Sequence, residues 1–599
     1  MQVIEQILTA KVASAIRQLY GQDCTPEQIQ LQKTRREFEG DITLVVFPLL
    51  IMSRKSPDVT AVDIGGYLQD NCKEIVRFTV FKGFLNLVVA DNYYVNYLNF
   101  AGSKGKSYGK KRKKHIPETV VVEYSSPNTN KPLHLGHIRN NLLGFSVSNI
   151  LKARGYNVIR TNLVNDRGIH ICKSMLAWQK WGKGETPKSS KIKGDHLVGK
   201  YYVLFDNEFK KQVSELIAGG STQEEAEKKA PLIVEAQEML RNWEAGDKDV
   251  RKLWRKMNKW VYKGFAVTYQ RLGIYFDSTY YESKTWIEGK KSVLKGEASH
   301  IFDRQLDSSI WVNLENVGLD NKLLLRSDGT SVYITQDIGT AKIRQKKYLF
   351  DKMVYVVGNE QNYHFKVLAH VLESLGFSAF KSLHHLSYGM VELPEGKMKS
   401  REGKVVDADE LMDEMIDTAR EMSKELGKLE GLNESEKDDI FRIIGLGALK
   451  YFMLKVDPVK NMLFNPRESI DFNGNTGPFL QYTYTRIRSV FRKAIELKIS
   501  IPDKSPENII LNDKEKNLLK LIHEFPMVVR DAGETFNPSL IANFIYELVK
   551  EFNQFYHDYS ILKEENPEIR KFRLVLSQVV SGIVKNGMEL LGIEMPERM

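Results

Sequence analysis

The segment from Thr119 to Leu163 limits what this 599-residue chain can fold into more than any other. A short β-branched run, TVVVEY, leads into the loop SSPNTNKPL. A helical pattern then begins at His134 and ends at Gly155, the residue type that best tolerates the left-handed backbone of a helix end. An extended apolar pattern resumes in YNVIRTNL, Tyr156 to Leu163. Strand, crossover helix and strand pack as a right-handed parallel unit, so a nucleotide-binding α/β sheet is expected. A strand over Met353–Gly358 (MVYVVG) and the apolar helix HFKVLAHVLESLG after it predict a second half of that sheet.

So long a chain implies several domains. Before the sheet, an amphipathic start and strand-like runs at Ile42–Phe47 and Phe84–Val89 predict a compact α+β module over residues 1–115. Its last stretch, GSKGKSYGKKRKKH (Gly102–His115), lacks apolar periodicity and reads as a solvated basic linker, or as a hinge lying along phosphates. The α/β domain is expected over residues 116–465, with a charged, Trp-bearing insertion at about 181–327. From about Asp409 the pattern turns helical, with long periodic runs at Phe479–Leu497 and Leu540–Tyr559, so residues 466–599 should form an all-α helix bundle.

Other features narrow the function. Neither a Walker A loop nor a GxGxxG fingerprint occurs, which disfavours P-loop kinases and dinucleotide dehydrogenases. The longest apolar run, Leu44 to Met52, is too short for a bilayer and is broken by Pro48, so no membrane span is expected. Glu5 and Gln6 make the start a folded helix rather than an export signal. Three cysteines, Cys24, Cys72 and Cys172, form no CxxC pair and suit the cytosol. Lys plus Arg number 87 against 76 Asp plus Glu, a net charge of +11, which fits a polyanionic partner or merely a basic enzyme.

In HLGH, His134 and His137 lie three residues apart on one helix face, Gly136 allows close approach to the backbone, and the helix start favours anions. That arrangement predicts a triphosphate seat, because imidazoles can donate to phosphate oxygens without adding fixed charge. The histidines could instead cap the helix or pack; zinc is disfavoured because no third ligand has suitable spacing. A second segment, GKMKSREGK, gathers Lys397, Lys399, Arg401 and Lys404. Such a cluster suits a departing pyrophosphate, or is a solvated basic loop.

PNTNKPLHLGH (Pro127–His137) resembles the HIGH signature of class I aminoacyl-tRNA synthetases, and Lys397 to Arg401 resembles their KMSKS loop. Further segments follow in order: VEYSSPN (Val122–Asn128), LLRSDGTSVYITQDIGTA (Leu324–Ala341), VVGNEQNYHF (Val356–Phe365), GNTGPFLQY (Gly474–Tyr482) and PERM (Pro596–Met599). With these the chain resembles the arginyl-tRNA synthetase family. The resemblance implies a Rossmann-like class I catalytic domain that joins arginine to its tRNA through an arginyl-adenylate. It implies catalytic roles for His134, His137, Lys131 and Lys397, and an ATP seat at Pro127, Leu135, Gly136, Gly358, His364, Met398, Lys399 and Ser400. It further implies an arginine pocket at Glu123, Asn128, Tyr333, Asp337 and Gln361. That set is chemically sensible, since a planar, permanently charged guanidinium calls for fixed carboxylates and amide oxygens. Tyr333 and Asp337, four apart, share a face if YITQD begins a helix. On their own, Glu123 could simply end a strand and Asp337 cap a helix.

One departure stands out. The chain reads Lys397, Met398, Lys399, Ser400, so the second lysine of KMSKS aligns with Ser400. The resemblance implies that a lysine before HIGH, here Lys131, takes over; Lys399 is its local rival. It also implies an elbow-binding N-terminal module that contacts tRNA through GFLN, with Phe84 and Asn86. The helical domain would read the anticodon with Tyr482, Tyr484, Arg488, Tyr559 and Met599, although aromatics so spaced are also what a core uses. ATP with Mg²⁺, no zinc, arginine, arginine-specific tRNA, no membrane, a cytoplasmic monomer, and a first step that needs bound tRNA complete the implied picture. Three alternatives stay open: another class I synthetase, a small-molecule nucleotidylyltransferase, and a non-enzymatic tRNA-binding relative.

Overall fold

The computed structural model describes residues 3–35, 37–111, 115–392, 406–425, 431–471 and 473–599. It divides into two compact units, one formed by Met1–Gly109, Thr483–Met527 and Phe544–Asn586, the other by Lys110–Tyr482, Val528–Asn543 and Gly587–Met599. No described helix is long and apolar enough to cross a membrane.

In the first unit, the helix Ile4–Tyr20 buries Leu8, Val12, Ala15 and Ile16, the three-to-four spacing its sequence showed. An antiparallel sheet runs in the order Gln30–Lys33, Ile42–Val45, Phe84–Val89, Ile75–Phe81. The hairpin between Phe81 and Phe84 turns on Lys82 and Gly83, both left-handed at φ 47° and 77°. Only glycine fits at position 83, where a Cβ would lie 2.8 Å from Pro57 and 2.9 Å from Phe47. The expected linker is structured in its first half: Gly102–Lys104 close the helix Asp91–Lys104, and Tyr108 is buried with its hydroxyl donating to the Ile522 carbonyl at 2.7 Å. One aromatic anchor separated from the helix by glycines leaves no periodic signal.

The second unit carries the expected parallel sheet, in the order Leu383–Tyr388, Lys352–Gly358, Thr119–Glu123, Asn157–Val164, Ser278–Tyr281. The connection from Thr119–Glu123 runs to one side of the sheet and that from Lys352–Gly358 to the other, so a topological switch point opens between these two strands at their carboxyl ends, where α/β sheets bind ligands. Val121, Met353, Tyr355, Ile334, Ile338, Val367 and Leu368 share one core beneath it. The helix Leu135–Ala153 packs so close that a Cβ on Gly144 would collide with the Tyr124 ring. The stretch expected as an insertion at about 181–327 returns to this sheet through its edge strand Ser278–Tyr281; the rest of it folds into helices, chiefly Gly194–Ala218 and Lys248–Leu272, and a small antiparallel sheet of Asp303–Arg304, Ile310–Val312 and Lys322–Leu325.

Among the described residues after Asp409, helices dominate and Met462–Leu463 is a strand, pairing in parallel with Val391–Glu392. Two residues are too few to show a period. Their position is fixed by Arg139, wholly buried, whose guanidinium donates to the carbonyls of Gly389 (2.7 Å), Lys460 (2.8 Å) and Pro458 (3.2 Å). Burial lowers this arginine to about 10, against the opposing influence of Tyr388 and Asp457.

Candidate active site

The chain leaves the central strand at Glu123 and reverses through Ser125, whose left-handed backbone (φ 64°) is held by two bonds. Asn140 accepts from the Ser125 N–H at 2.6 Å, and the Tyr269 and Ser125 hydroxyls meet at 2.6 Å. Asn140 also donates to the carbonyl of Val356 on the neighbouring strand, at 2.7 Å. Asn140 thus ties both sides of the switch point to the helix that begins after His134. Pro127 is buried and Asn128 exposed, in a parallel bridge with Asn165.

His134 is the N-cap of that helix. Its Nδ1 accepts from the Gly136 N–H, and its own N–H donates to Nδ1 of His137, both at 3.2 Å; the rings lie 3.9 Å apart. With each Nδ1 accepting, the ring proton of either neutral imidazole sits on Nε2. Burial, reinforced by Lys131, pushes His134 down to about 3, and burial with His134 and Lys131 holds His137 far below its ordinary value. Two neutral Nε2–H donors beside the Lys131 charge, at a helix N-terminus, are an arrangement that can donate to the oxygens of an anion. Leu135 is buried and Gly136 half-buried.

A hydrogen-bonded knot of two segments braces this turn. Leu135 donates to Val406 at 3.1 Å and Ala408 to Leu133 at 3.0 Å, so Val406–Ala408 runs antiparallel to Leu133–Leu135. Asp407 caps the helix Ala408–Glu425 by accepting from Asp409 N at 2.8 Å. The Asp409 carboxylate pairs with Lys193, with Arg271 at 3.1 Å and with His196 at 3.4 Å, and accepts from Thr268 at 3.1 Å. Asp195, His196 and Asp409 sit as metal ligands could, but the Lys193 ammonium stands between the two carboxylates, 3.0 Å from Asp195. The cation of this cluster is a lysine. Lys397, Met398, Lys399 and Ser400, with Arg401 and Lys404, lie outside the described residues.

The residues expected at the amino acid gather around the helix Tyr333–Tyr348. It crosses the helix Glu282–Ala298 at Gly289 and Gly339, where a Cβ on either would collide with backbone of the other helix. Tyr333, 79% exposed, and Asp337, half-buried, share a face as expected. Asp337 Oδ2 lies 2.7 Å from Nε2 of His364. Gly358 ends its strand, buried, and Gln361 is exposed just beyond. Glu123 is buried and ion-paired with Arg344, a residue two turns after Asp337 that the sequence had not singled out. Burial raises the Glu123 carboxyl, Arg344 opposes that, and Asp337 adds to it. Also unforeseen is Glu282, which burial raises to about 7 against Arg167, with Asp166 and Asp337 contributing. Charge at positions 282 and 344 was visible, but nothing local marked it as buried.

The residues expected to meet tRNA divide by environment. Phe84 is partly buried, edge-on to Phe47 at 5.7 Å. Asn86 is 2% exposed and accepts from the Thr43 hydroxyl at 2.6 Å, so it braces the sheet instead of facing outward. Tyr484 is likewise interior at 3% exposed. Tyr482 is half-buried, Arg488 lies 6.0 Å from the Phe491 ring, and Tyr559 stacks on Phe555 with the Arg573 guanidinium 5.2 Å away. Met599 packs against Ala419, Ile440 and Ile444. Alternation at two-residue steps placed Tyr484 on the inner face of its helix.

The sheet, the neutral histidine turn at its switch point, and a match of residues 100–466 to the family described as tRNA synthetases class I (R), catalytic domain, define a class I aminoacyl-tRNA synthetase. Residues 480–599 match the DALR anticodon binding domain. Arginine–tRNA ligases of Parabacteroides distasonis and Bacteroides fragilis are each 60% identical to this chain, over 100% of both chains. The chain belongs to the arginyl-tRNA synthetase family. Arginyl-tRNA synthetase from Thermus thermophilus shares the fold, with a TM-score of 0.77 at 23% identity and 100% of both chains covered.

Proposed function

We propose that the chain ligates arginine to its tRNA at the expense of ATP, with Glu123 and Asp337 holding the guanidinium and the histidine turn holding the triphosphate. The observation that carries this reading is the pair of Nε2–H donors at the switch point, on the loop that leaves the strand end bearing the buried Glu123 carboxylate. Asn128, Tyr333 and Gln361 line the approach. In the first step the arginine carboxylate attacks the α-phosphate and pyrophosphate leaves. His134 and His137 donate to non-bridging oxygens as charge builds there, and Lys131 and Lys397 supply fixed positive charge. Pro127, Leu135, Gly136, Gly358, His364, Met398, Lys399 and Ser400 frame the nucleotide. In the second step the terminal ribose hydroxyl of the tRNA attacks the activated carbonyl and AMP departs; holding both ends in place makes the step effectively unimolecular. Mg²⁺ enters with the triphosphate as part of the substrate, and no zinc is required.

The tRNA elbow meets the hairpin at Phe84, braced by Asn86, and the anticodon meets Tyr482, Arg488, Tyr559 and Met599, with Tyr484 packing beneath. The domains are those of residues 1–115, 116–465 and 466–599, in a cytoplasmic monomer. ATP–pyrophosphate exchange with each amino acid, with and without total tRNA, tests the whole. Exchange with arginine alone, and only with tRNA present, is expected. Exchange with another amino acid overturns the pocket assignment, and exchange with none favours a binding protein.

A further inference from the structure

We infer that Arg344 is a positioning residue for arginine selection: a second, built-in guanidinium that keeps Glu123 ionised and aimed, and sets the pocket's net charge to match its substrate. The inference rests on the assignment of Glu123 and Asp337 to the arginine pocket. The Arg344 side chain is wholly inaccessible, and its guanidinium lies 4.7 Å from the Tyr280 ring centre. It engages Oε2 of Glu123, and the Ser126 side chain also hydrogen-bonds that carboxylate, so its orientation is fixed from two sides. Its helix cannot slide to relieve a poor fit, because of the glycine crossing at Gly289 and Gly339. A buried cation is costly without a partner, and a buried carboxylate equally so. The pair therefore persists as a unit fixed from below.

Glu123 and Asp337 contribute two negative charges, Arg344 one positive, leaving one net negative charge opposite the single positive charge of an arginine side chain. Without Arg344, burial and the facing Asp337 would both favour protonation of Glu123, and the pocket would lose the carboxylate it offers. The other titratable groups facing this cluster are Tyr355 and Tyr280, with His364 and Glu282 beyond Asp337. Their influence is common to parent and variant, so the comparison below is made at equal pH.

The test is steady-state aminoacylation by full-length Arg344→Met, Arg344→Lys and Glu123→Gln between pH 6 and 8.5. For Arg344→Met, KM for arginine should rise at least tenfold at pH 7 while KM for ATP changes less than twofold, and the penalty should shrink as pH rises. Arg344→Lys should recover most of the loss. If the Met variant does not fold, the same arginine-specific, pH-dependent rise is sought, at smaller size, in Arg344→Lys. A pH-independent penalty, or equal losses for ATP and arginine, overturns the inference. If Glu123→Gln leaves KM for arginine unchanged, the pocket assignment itself fails; if it raises KM while the Arg344 variants show no split, only the role of Arg344 fails.

Discussion

Nε2 of His364 stands 2.7 Å from Oδ2 of Asp337, joining the helix that follows the strand Lys352–Gly358 to the helix that carries the pocket. Through this bond one carboxylate links a residue expected at the nucleotide to one expected at the arginine. Replacing Asp337 with Asn keeps the shape and removes the charge, so KM for arginine should rise about 100-fold, the scale of losing one partner of a close charged pair. KM for ATP should move far less. Aminoacylation kinetics check this, and a matching change in both constants would remove Asp337 from the arginine pocket.

The two histidines offer a separate prediction. Each stays neutral above its lowered value, so neither contributes an inflection to the rate between about pH 5.5 and 8.5. Alanine at either position should lower the rate of adenylate formation by about 10²- to 10³-fold, as removal of a preorganised donor does. Pyrophosphate exchange across that range reads both effects. A rate that falls on the acid side with an imidazole-like midpoint, abolished in His134→Ala, would contradict the neutral assignment.

Glu282 should supply the pH dependence that the histidines do not. Its folded value, about 7, lies above its ordinary 4.5, so its contribution to stability is fully present below 4.5 and is lost as pH rises through 7. In function the sign is opposite: ionisation adds negative charge near Asp337, and KM for arginine should fall by about tenfold from pH 6 to 8. Glu282→Gln should flatten that profile, measured by arginine titrations at fixed tRNA and ATP.

The Asp409 knot should matter to both stability and nucleotide binding. Burial alone would raise this carboxyl, but His196, Lys193 and Thr268 hold it well below the ordinary range. Its stabilisation is therefore present above pH 4 and disappears as pH falls below the ordinary carboxylate value, about 3.9. Asp409→Ala should cost about 3 kcal/mol, near the low end for breaking a buried pair because Lys193 and Arg271 are partly exposed. KM for ATP should rise with it, since Val406–Ala408 holds the His134 turn. Thermal denaturation and pyrophosphate exchange would show the two together; an unchanged KM for ATP would reduce the knot to a structural role.

The sheet, the histidine turn and the long helices were legible because each is written in local periodicity and turn chemistry. Tyr333 and Asp337 could be placed on one face by counting. The knot could not, because Lys193 and Asp409 are 216 residues apart and each looks like an ordinary surface charge. Arg139 reaches carbonyls more than 300 residues away, and a carbonyl has no sequence signature. Arg344 is the sharpest case: in a run of cations, KIRQKKY, only the tertiary fold separates the buried one from the exposed.

Of the five lines dividing the two units, one falls at Gly109 and the other four within the helices Gly477–Glu496, Asp513–Glu534, Ser539–Asp558 and Pro567–Leu590. Modules that change hands during evolution are usually joined by exposed linkers. Here an exchange at any of those four places would sever a hydrogen-bonded helix and carry a strip of one body's core into another.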